Sequence, residues 1–208
     1  SEIPNITMET IRNTISENLG GPAHALASPE NSFSLDEVPD LSGKVNSPEL
    51  EKFGHVLTRE QVAVVTGGSE GIGFGITHTL LSRNIAKLFV LSLRQEVVDE
   101  ALDAIAEEFG PEARKKFIWK QCDLSDWVQT GKVAAEIASQ TDRIDILMNN
   151  AARGIMTRQL SEHNGIDLHM ASNHFGHVVL TSHLLPTIKE WADKGNTVRI
   201  VNTSSNLH

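Results

Sequence analysis

From Gln61 to Gly73 the chain reads Gln-Val-Ala-Val-Val-Thr-Gly-Gly-Ser-Glu-Gly-Ile-Gly, an unbroken apolar, β-branched run that stops on glycines and opens into a helical pattern. A strand that is apolar at every position is buried on both faces, the condition of a strand inside a parallel sheet. Parallel neighbours need crossover connections, and helices supply them. The remaining sequence obeys this demand. Strands are expected at 87–92, 117–121, 144–149 and 198–202, and helices at 72–83, 96–109, 126–139 and 165–191, with Pro186 kinking or ending the last. On the helix over 126–139, Trp127, Val128, Val133, Ala134 and Ile137 are read as facing inward. Strict alternation of strand and helix predicts the α/β class with a doubly wound parallel sheet.

The glycines carry the first chemical expectation. Gly67 lets the backbone turn sharply after the strand, Gly71 lets it approach a diphosphate without a side chain in between, and Gly73 lets the helix sit close to the sheet. A helix N-terminus offers unpaired N–H groups and a positive dipole end to phosphates. In its strand–turn–helix setting the segment is therefore read as a dinucleotide site. The second strand ends at Ser92-Leu93-Arg94, without the carboxylate that would repel a 2′-phosphate. Ser92 and Arg94 could bind such a phosphate, which favours NADP over NAD, whereas Glu70 inside the turn pulls the other way.

Bulk properties narrow the partners. The 208 residues carry a formal net charge of −9, which argues against nucleic acid or an anionic membrane surface. No long uncharged apolar run is present, so no membrane span is expected. Cys122 is the single cysteine, and Ser1–Thr10 lacks the features of a secretory or mitochondrial leader, which together suggest a cytoplasmic protein. Cys122 itself is expected to be a buried small apolar group. His169, His174 and His177 find no nearby Cys, Asp or Glu set in the sequence to complete a metal site, so no metal is expected and these histidines are read as packing or surface residues. Residues 1–40 are read as a helix capped by Thr7 followed by a linker, and residues 41–208 as the α/β domain.

Five motifs in order resemble the short-chain dehydrogenase/reductase family. They are Thr66–Gly73; Cys122-Asp123-Leu124 after the third strand; Asn149-Asn150-Ala151-Ala152 after the fourth, with Ala152 where the family has Gly; Asn173-His174-Phe175-Gly176-His177, similar to the retinol-dehydrogenase-like branch; and Arg199–Ser205. The resemblance implies a Rossmann fold lacking the family's last strands and helices. It implies a hydride-transferring oxidoreductase using NADP or NAD on a small alcohol or carbonyl substrate. By the same resemblance Gly67, Ser69, Gly71, Ile72 and Gly73 would hold the diphosphate. Asp123 and Leu124 would bound the adenine, and Asn150 and Ala151 would line the nicotinamide ribose. Asn173 would position a water in a proton relay, and Ser205 would hydrogen-bond the substrate oxygen. Many family members pair through the helix holding Asn173 and one beyond the position of His208, so a homo-oligomer is one implied state.

The family's acid/base group is a tyrosine after the serine, with a lysine four residues on that lowers its pKa. The 208 residues contain no tyrosine. The expectation is therefore a C-terminally truncated chain that cannot run the family's reaction by itself; the rival reading is a catalytically dead dinucleotide-binding sensor or scaffold. Strand Val198–Asn202 would be left as an open apolar edge, with low solubility as the consequence. Leu41-Ser42-Gly43-Lys44 resembles the family's lead-in to the first strand, so Val45–Gln61 reads as a family-atypical insert, either genuine or a retained intron.

Overall fold

The computed structural model describes residues 61–154 and 157–204. The expected N-terminal helix and linker, the insert before Gln61, and Ser205 lie outside the described residues.

Five strands form one parallel sheet: β1 (Val62–Thr66), β2 (Lys87–Ser92), β3 (Phe117–Gln121), β4 (Ile146–Asn149) and β5 (Arg199–Asn202), in the order β3-β2-β1-β4-β5. Helices α1 (Gly71–Ser82), α2 (Gln95–Phe109), α3 (Pro111–Lys116), α4 (Trp127–Gln140) and α5 (His177–Asp193) connect them, and a π-helical segment, Met170–Gly176, leads into α5. The doubly wound Rossmann-type architecture is the one expected.

Two cores explain the unbroken apolar run of β1. Val62 and Val64 point into a cluster with Val133, Ile137, Leu147, Leu180 and Leu184, beneath α4 and α5. Ala63 and Val65 point the other way, into a cluster with Leu80, Leu81, Val98 and Ile105, beneath α1 and α2. Every residue of β1 is buried. Adjacent residues thus face opposite cores, and neither face of the strand can carry a polar side chain except at its end.

The N-terminal edge of the sheet is tied by one buried carboxylate. Asp145 Oδ2 accepts from the Val62 N–H at 2.8 Å and from Arg143 Nε at 3.0 Å, while Oδ1 accepts from Arg143 Nη2 at 2.7 Å and Trp191 Nε1 at 3.0 Å. The Arg143 guanidinium lies 4.3 Å from the Trp191 ring centre, a cation–π contact. Arg143 and Asp145 thereby bind the starts of β1 and β4 to the end of α5.

Several local readings are corrected. Pro186 lies inside α5 and does not end it. The region before α5 is not one α-helix from Gly165: Leu160 and Asp167 form an antiparallel bridge, and the turns around Asn173 are π-helical. Helix α3 was not anticipated; Gly110 at φ 81° breaks the chain after α2, and Pro111 then starts a new helix where its missing N–H costs nothing. Val128 on α4 is 69% exposed, so it faces solvent, unlike its neighbours Val133 and Ile137. All four residues of β5 are exposed, with Ile200 and Val201 at 38% and 39%, so among the described residues this apolar edge is open.

Candidate functional site

All five strands run the same way, so their C-terminal ends meet along one edge. The strand order reverses between β1 and β4, since β2 and β3 continue on one side of β1 and β4 lies on the other. Loops leaving such a switch point diverge and open a crevice. Most of the expected site residues emerge here: Gly67–Gly73 from β1, Ser92 and Arg94 from β2, Asp123 and Leu124 from β3, and Asn150 and Ala151 from β4.

The glycine turn is built as its sequence implied, with one refinement. Gly67 has φ 63°, a left-handed conformation that side chains resist, and its Cα side lies against Ala151. Gly73 packs against the carbonyl of Gly67 and the amide of Asn150, so its missing side chain serves the closure of the turn. Among the described residues, an added Cβ at Gly71 would meet nothing within 4 Å, and no side chain caps the start of α1 at Glu70. A helix mouth whose first N–H groups have no partner inside the helix thus opens beside a bare backbone position, the arrangement that suits a phosphate. Ile72 next to it is 75% exposed.

Around the turn, Ser69 and Ser92 hydroxyls meet at 2.6 Å, joining the ends of the first two strands. Arg94 Nη2 lies 3.0 Å from both Glu70 carboxylate oxygens. The two residues read as opposing influences are therefore paired with one another. Asp123 Oδ1 accepts from both the N–H and the hydroxyl of Ser125, which fixes the loop after β3. Leu124 is buried, and its carbonyl lies where a Cβ on Gly176 would stand, so the π segment packs directly on this loop.

Beyond β4, Asn150 donates through its amide to the Thr66 carbonyl at 3.2 Å and accepts from the Thr203 hydroxyl at 3.2 Å. Thr203 N–H also donates to the Asn149 carbonyl at 2.9 Å, and Asn149 Nδ2 donates to Asn202 Oδ1 at 2.9 Å. Thr203 is thus held beside Asn150. Asn173 sits in the π segment, a helix form frequent at functional sites. Its Oδ1 accepts from the Arg153 N–H at 2.8 Å and its Nδ2 donates to the Arg153 carbonyl at 3.1 Å. Its side chain therefore clamps the backbone that follows Asn150 and Ala151.

Two participants were not singled out from the sequence. Thr66 Oγ1 accepts from the N–H groups of Asn150 and Ala151, each at 2.9 Å, and meets His177 Nε2 at 2.8 Å. His177 is 8% exposed and its Nδ1 lies 2.9 Å from the Asn173 carbonyl. Burial holds this imidazole below its ordinary pKa, with the Asn173 carbonyl opposing and His174 adding to the shift. The available signal was the four-residue spacing from Asn173 to His177. Cys122 is buried as expected, and burial pushes its thiol up to about 11, so it is inert as a nucleophile. Among the described residues no three His, Cys, Asp or Glu side chains converge as a metal site.

Comparison with known proteins bears on the fold. The sequence profile described as short chain dehydrogenase matches residues 61–207. The chain is 52% identical over 202 residues to the oxidoreductase bli-4, mitochondrial, of Neurospora crassa, covering 97% of this chain and 44% of that protein. It is 31% identical over 169 residues to the short-chain dehydrogenase TIC 32 A, chloroplastic, of Brassica napus, covering 80% of this chain and 51% of that protein. The chain thus spans about half the length, or less, of these relatives. A metagenomic short-chain oxidoreductase solved in complex with NADP superposes at TM-score 0.57 with 26% identity, covering 70% of this chain and 62% of that one. A short-chain dehydrogenase/reductase from Burkholderia phymatum in complex with NAD gives 0.55 with 22% identity, over 70% of this chain and 49% of that one, a likeness of fold alone.

These relatives correct the expectation of a cytoplasmic protein. One is named mitochondrial and another chloroplastic. The earlier inference rested on a lone cysteine and on the composition of Ser1–Thr10. Neither bears on compartment in a chain that covers 44% of its relative.

Proposed function

Because this chain belongs to the short-chain dehydrogenase/reductase family, we propose that it forms the dinucleotide-holding part of a nicotinamide-dependent oxidoreductase acting on an alcohol or carbonyl compound. One observation carries the reading: the uncapped start of α1 opens beside Gly71, where no atom of the described residues occupies the space a side chain would take. A diphosphate fits that cradle, since both its charge and its need for close N–H donors are met.

In this reading the N–H groups of Gly71, Ile72 and Gly73 hold the diphosphate, with the Gly67 turn and Ser69 beneath. Asp123 and Leu124 bound the adenine, and Asn150 and Ala151 support the nicotinamide ribose. When bound, the dinucleotide supplies the hydride chemistry. The chain's own task is orientation. Asn173 keeps the post-β4 backbone in place through Arg153 and stands in line for a water-borne proton path, and Ser205 donates a hydrogen bond to the substrate oxygen as charge builds there.

We further propose NADP over NAD. The Glu70–Arg94 pair is exposed, with side chains 63% and 60% accessible. Such surface pairs contribute about 0–1 kcal/mol. A 2′-phosphate dianion is a better partner for the guanidinium than one exposed carboxylate, so it draws Arg94 away from Glu70. Ser92, already bonded to Ser69, stands at the same edge.

The 208 residues hold no tyrosine, so the phenol that family membership assigns to proton transfer has no counterpart in them. The proposal therefore predicts binding without turnover for this polypeptide. Titration with NADPH and NADH, followed by cofactor fluorescence, tests it. Saturable binding of both with NADPH tighter supports the reading; absence of binding to either overturns it, and turnover of alcohols or ketones overturns the assigned proton route.

A further inference from the structure

The sequence reads His177 as a packing or surface residue, yet its partners leave its protonation state little freedom. The Asn173 carbonyl 2.9 Å from Nδ1 can only accept, so Nδ1 carries a hydrogen. In a neutral ring Nε2 is then an acceptor. The Thr66 hydroxyl, 2.8 Å away, has one proton to give and two lone pairs. Both lone pairs are taken by the N–H groups of Asn150 and Ala151. Its proton has two places to go, His177 Nε2 at 2.8 Å or the Met148 carbonyl at 3.4 Å, and the shorter contact is the real hydrogen bond. Every donor and acceptor in the set is used once.

We infer that His177 is a positioning residue: its neutral imidazole orients the Thr66 hydroxyl, and through it fixes the Asn150–Ala151 backbone against the glycine turn. The same ring joins three parts of the site. Thr66 ends β1, Asn150 and Ala151 follow β4, and Asn173 clamps Arg153 from the π segment. A proton added at Nε2 would face an oxygen whose lone pairs are both occupied. It would force Thr66 to surrender one of the two N–H groups. Among the described residues His174 is the titratable neighbour that bears on His177; the groups it meets on β1 and in the π segment, Thr66 and the Asn173 carbonyl, do not titrate.

The test uses the whole 208-residue chain. In His177→Leu the Thr66 hydroxyl loses its nearer acceptor and keeps only the longer contact to the Met148 carbonyl, and amide hydrogen exchange at Asn150 and Ala151 is expected to accelerate tenfold or more, with NADPH binding weakened by a similar factor. His177→Gln, which keeps an acceptor oxygen, should recover most of both. In the unmodified chain NADPH affinity should decline as pH falls through the folded pKa of His177, which lies below 6.5, and more steeply than in the Gln variant, which keeps the titration of the 2′-phosphate but not that of the ring. The imidazole nitrogen spectrum of the unmodified chain should show the Nδ1–H tautomer, a readout that needs no variant to fold. An Nε2–H tautomer, or a folded Leu variant with unchanged exchange at Asn150 and Ala151, overturns the assignment. The NADPH readouts rest on the dinucleotide reading. If exchange responds as stated while no form binds NADPH, the lock stands and that reading falls.

Discussion

Gly73 lies so close to Gly67 that a Cβ on the former would overlap the carbonyl oxygen of the latter, with the Asn150 amide on the same side. The turn that opens the candidate site is therefore closed by backbone against backbone. Neither group can move aside, since Gly67 N–H donates to the Leu91 carbonyl at 2.7 Å and Asn150 is bound to Thr66.

Two glycine substitutions separate fold from binding. Gly73→Ala forces the turn open and should cost about 1–3 kcal/mol or more of stability, as overpacking does. Gly71→Ala meets no atom among the described residues and carries the strain of φ 55°, about 1–2 kcal/mol. Both should abolish dinucleotide binding, but Gly71→Ala should do so in a chain that is still folded. Thermal unfolding paired with NADPH titration distinguishes them.

Cofactor choice should respond to the Glu70–Arg94 pair in opposite senses. Arg94→Ala is expected to weaken NADPH about tenfold or more while leaving NADH within about twofold, in line with the 1.5–3 kcal/mol typical of charged hydrogen bonds. Glu70→Gln removes the competitor for Arg94 and the repulsion on the 2′-phosphate, so NADPH should tighten. Parallel titrations of the two cofactors with each variant give the comparison.

At the other end of the strands, Asp145 is the residue whose loss should be felt most. Its side chain is 6% exposed and that of Arg143 12% exposed, so Asp145→Ala leaves a guanidinium buried without its counter-charge. The expected loss is about 3–5 kcal/mol, the range for breaking one partner of a buried pair. Urea unfolding should show it, with dinucleotide affinity in the surviving folded fraction unchanged.

Stability should also depend on pH through His177. Its folded pKa lies below the ordinary value of 6.5 because burial disfavours the charged ring. Between that depressed value and 6.5 the unfolded chain binds the proton and the folded chain does not. The contribution is present in full above 6.5 and declines as pH falls from there toward the folded pKa. Urea midpoints compared at pH 7.5 and 5.5 should drop at the lower pH, and the drop should shrink in His177→Gln.

What the sequence disclosed is what is local. Residues 62–66 reveal a strand buried on both faces because five consecutive apolar or β-branched residues leave no solvent side. The glycine turn is legible because its spacing, strand before and helix after all lie within a dozen residues. Asn150 and Asn173 stood out by motif, yet the clamp of Asn173 on Arg153 depends on a π-helical register that no periodicity announces. The contact of Thr66 with His177 is not legible because 111 residues separate them, and they meet only once β1, β4 and α5 are stacked. Val128 misled because it sits beside a true core face, one helical step toward solvent.

The central claim places a diphosphate over Gly71 at the mouth of α1, and amide chemical-shift mapping with NADP⁺ tests that placement directly. The account predicts that the largest perturbations fall on Gly71, Ile72 and Gly73, with a second set at Asn150 and Ala151. Perturbations confined to other parts of the chain, or none at saturating cofactor, would contradict it.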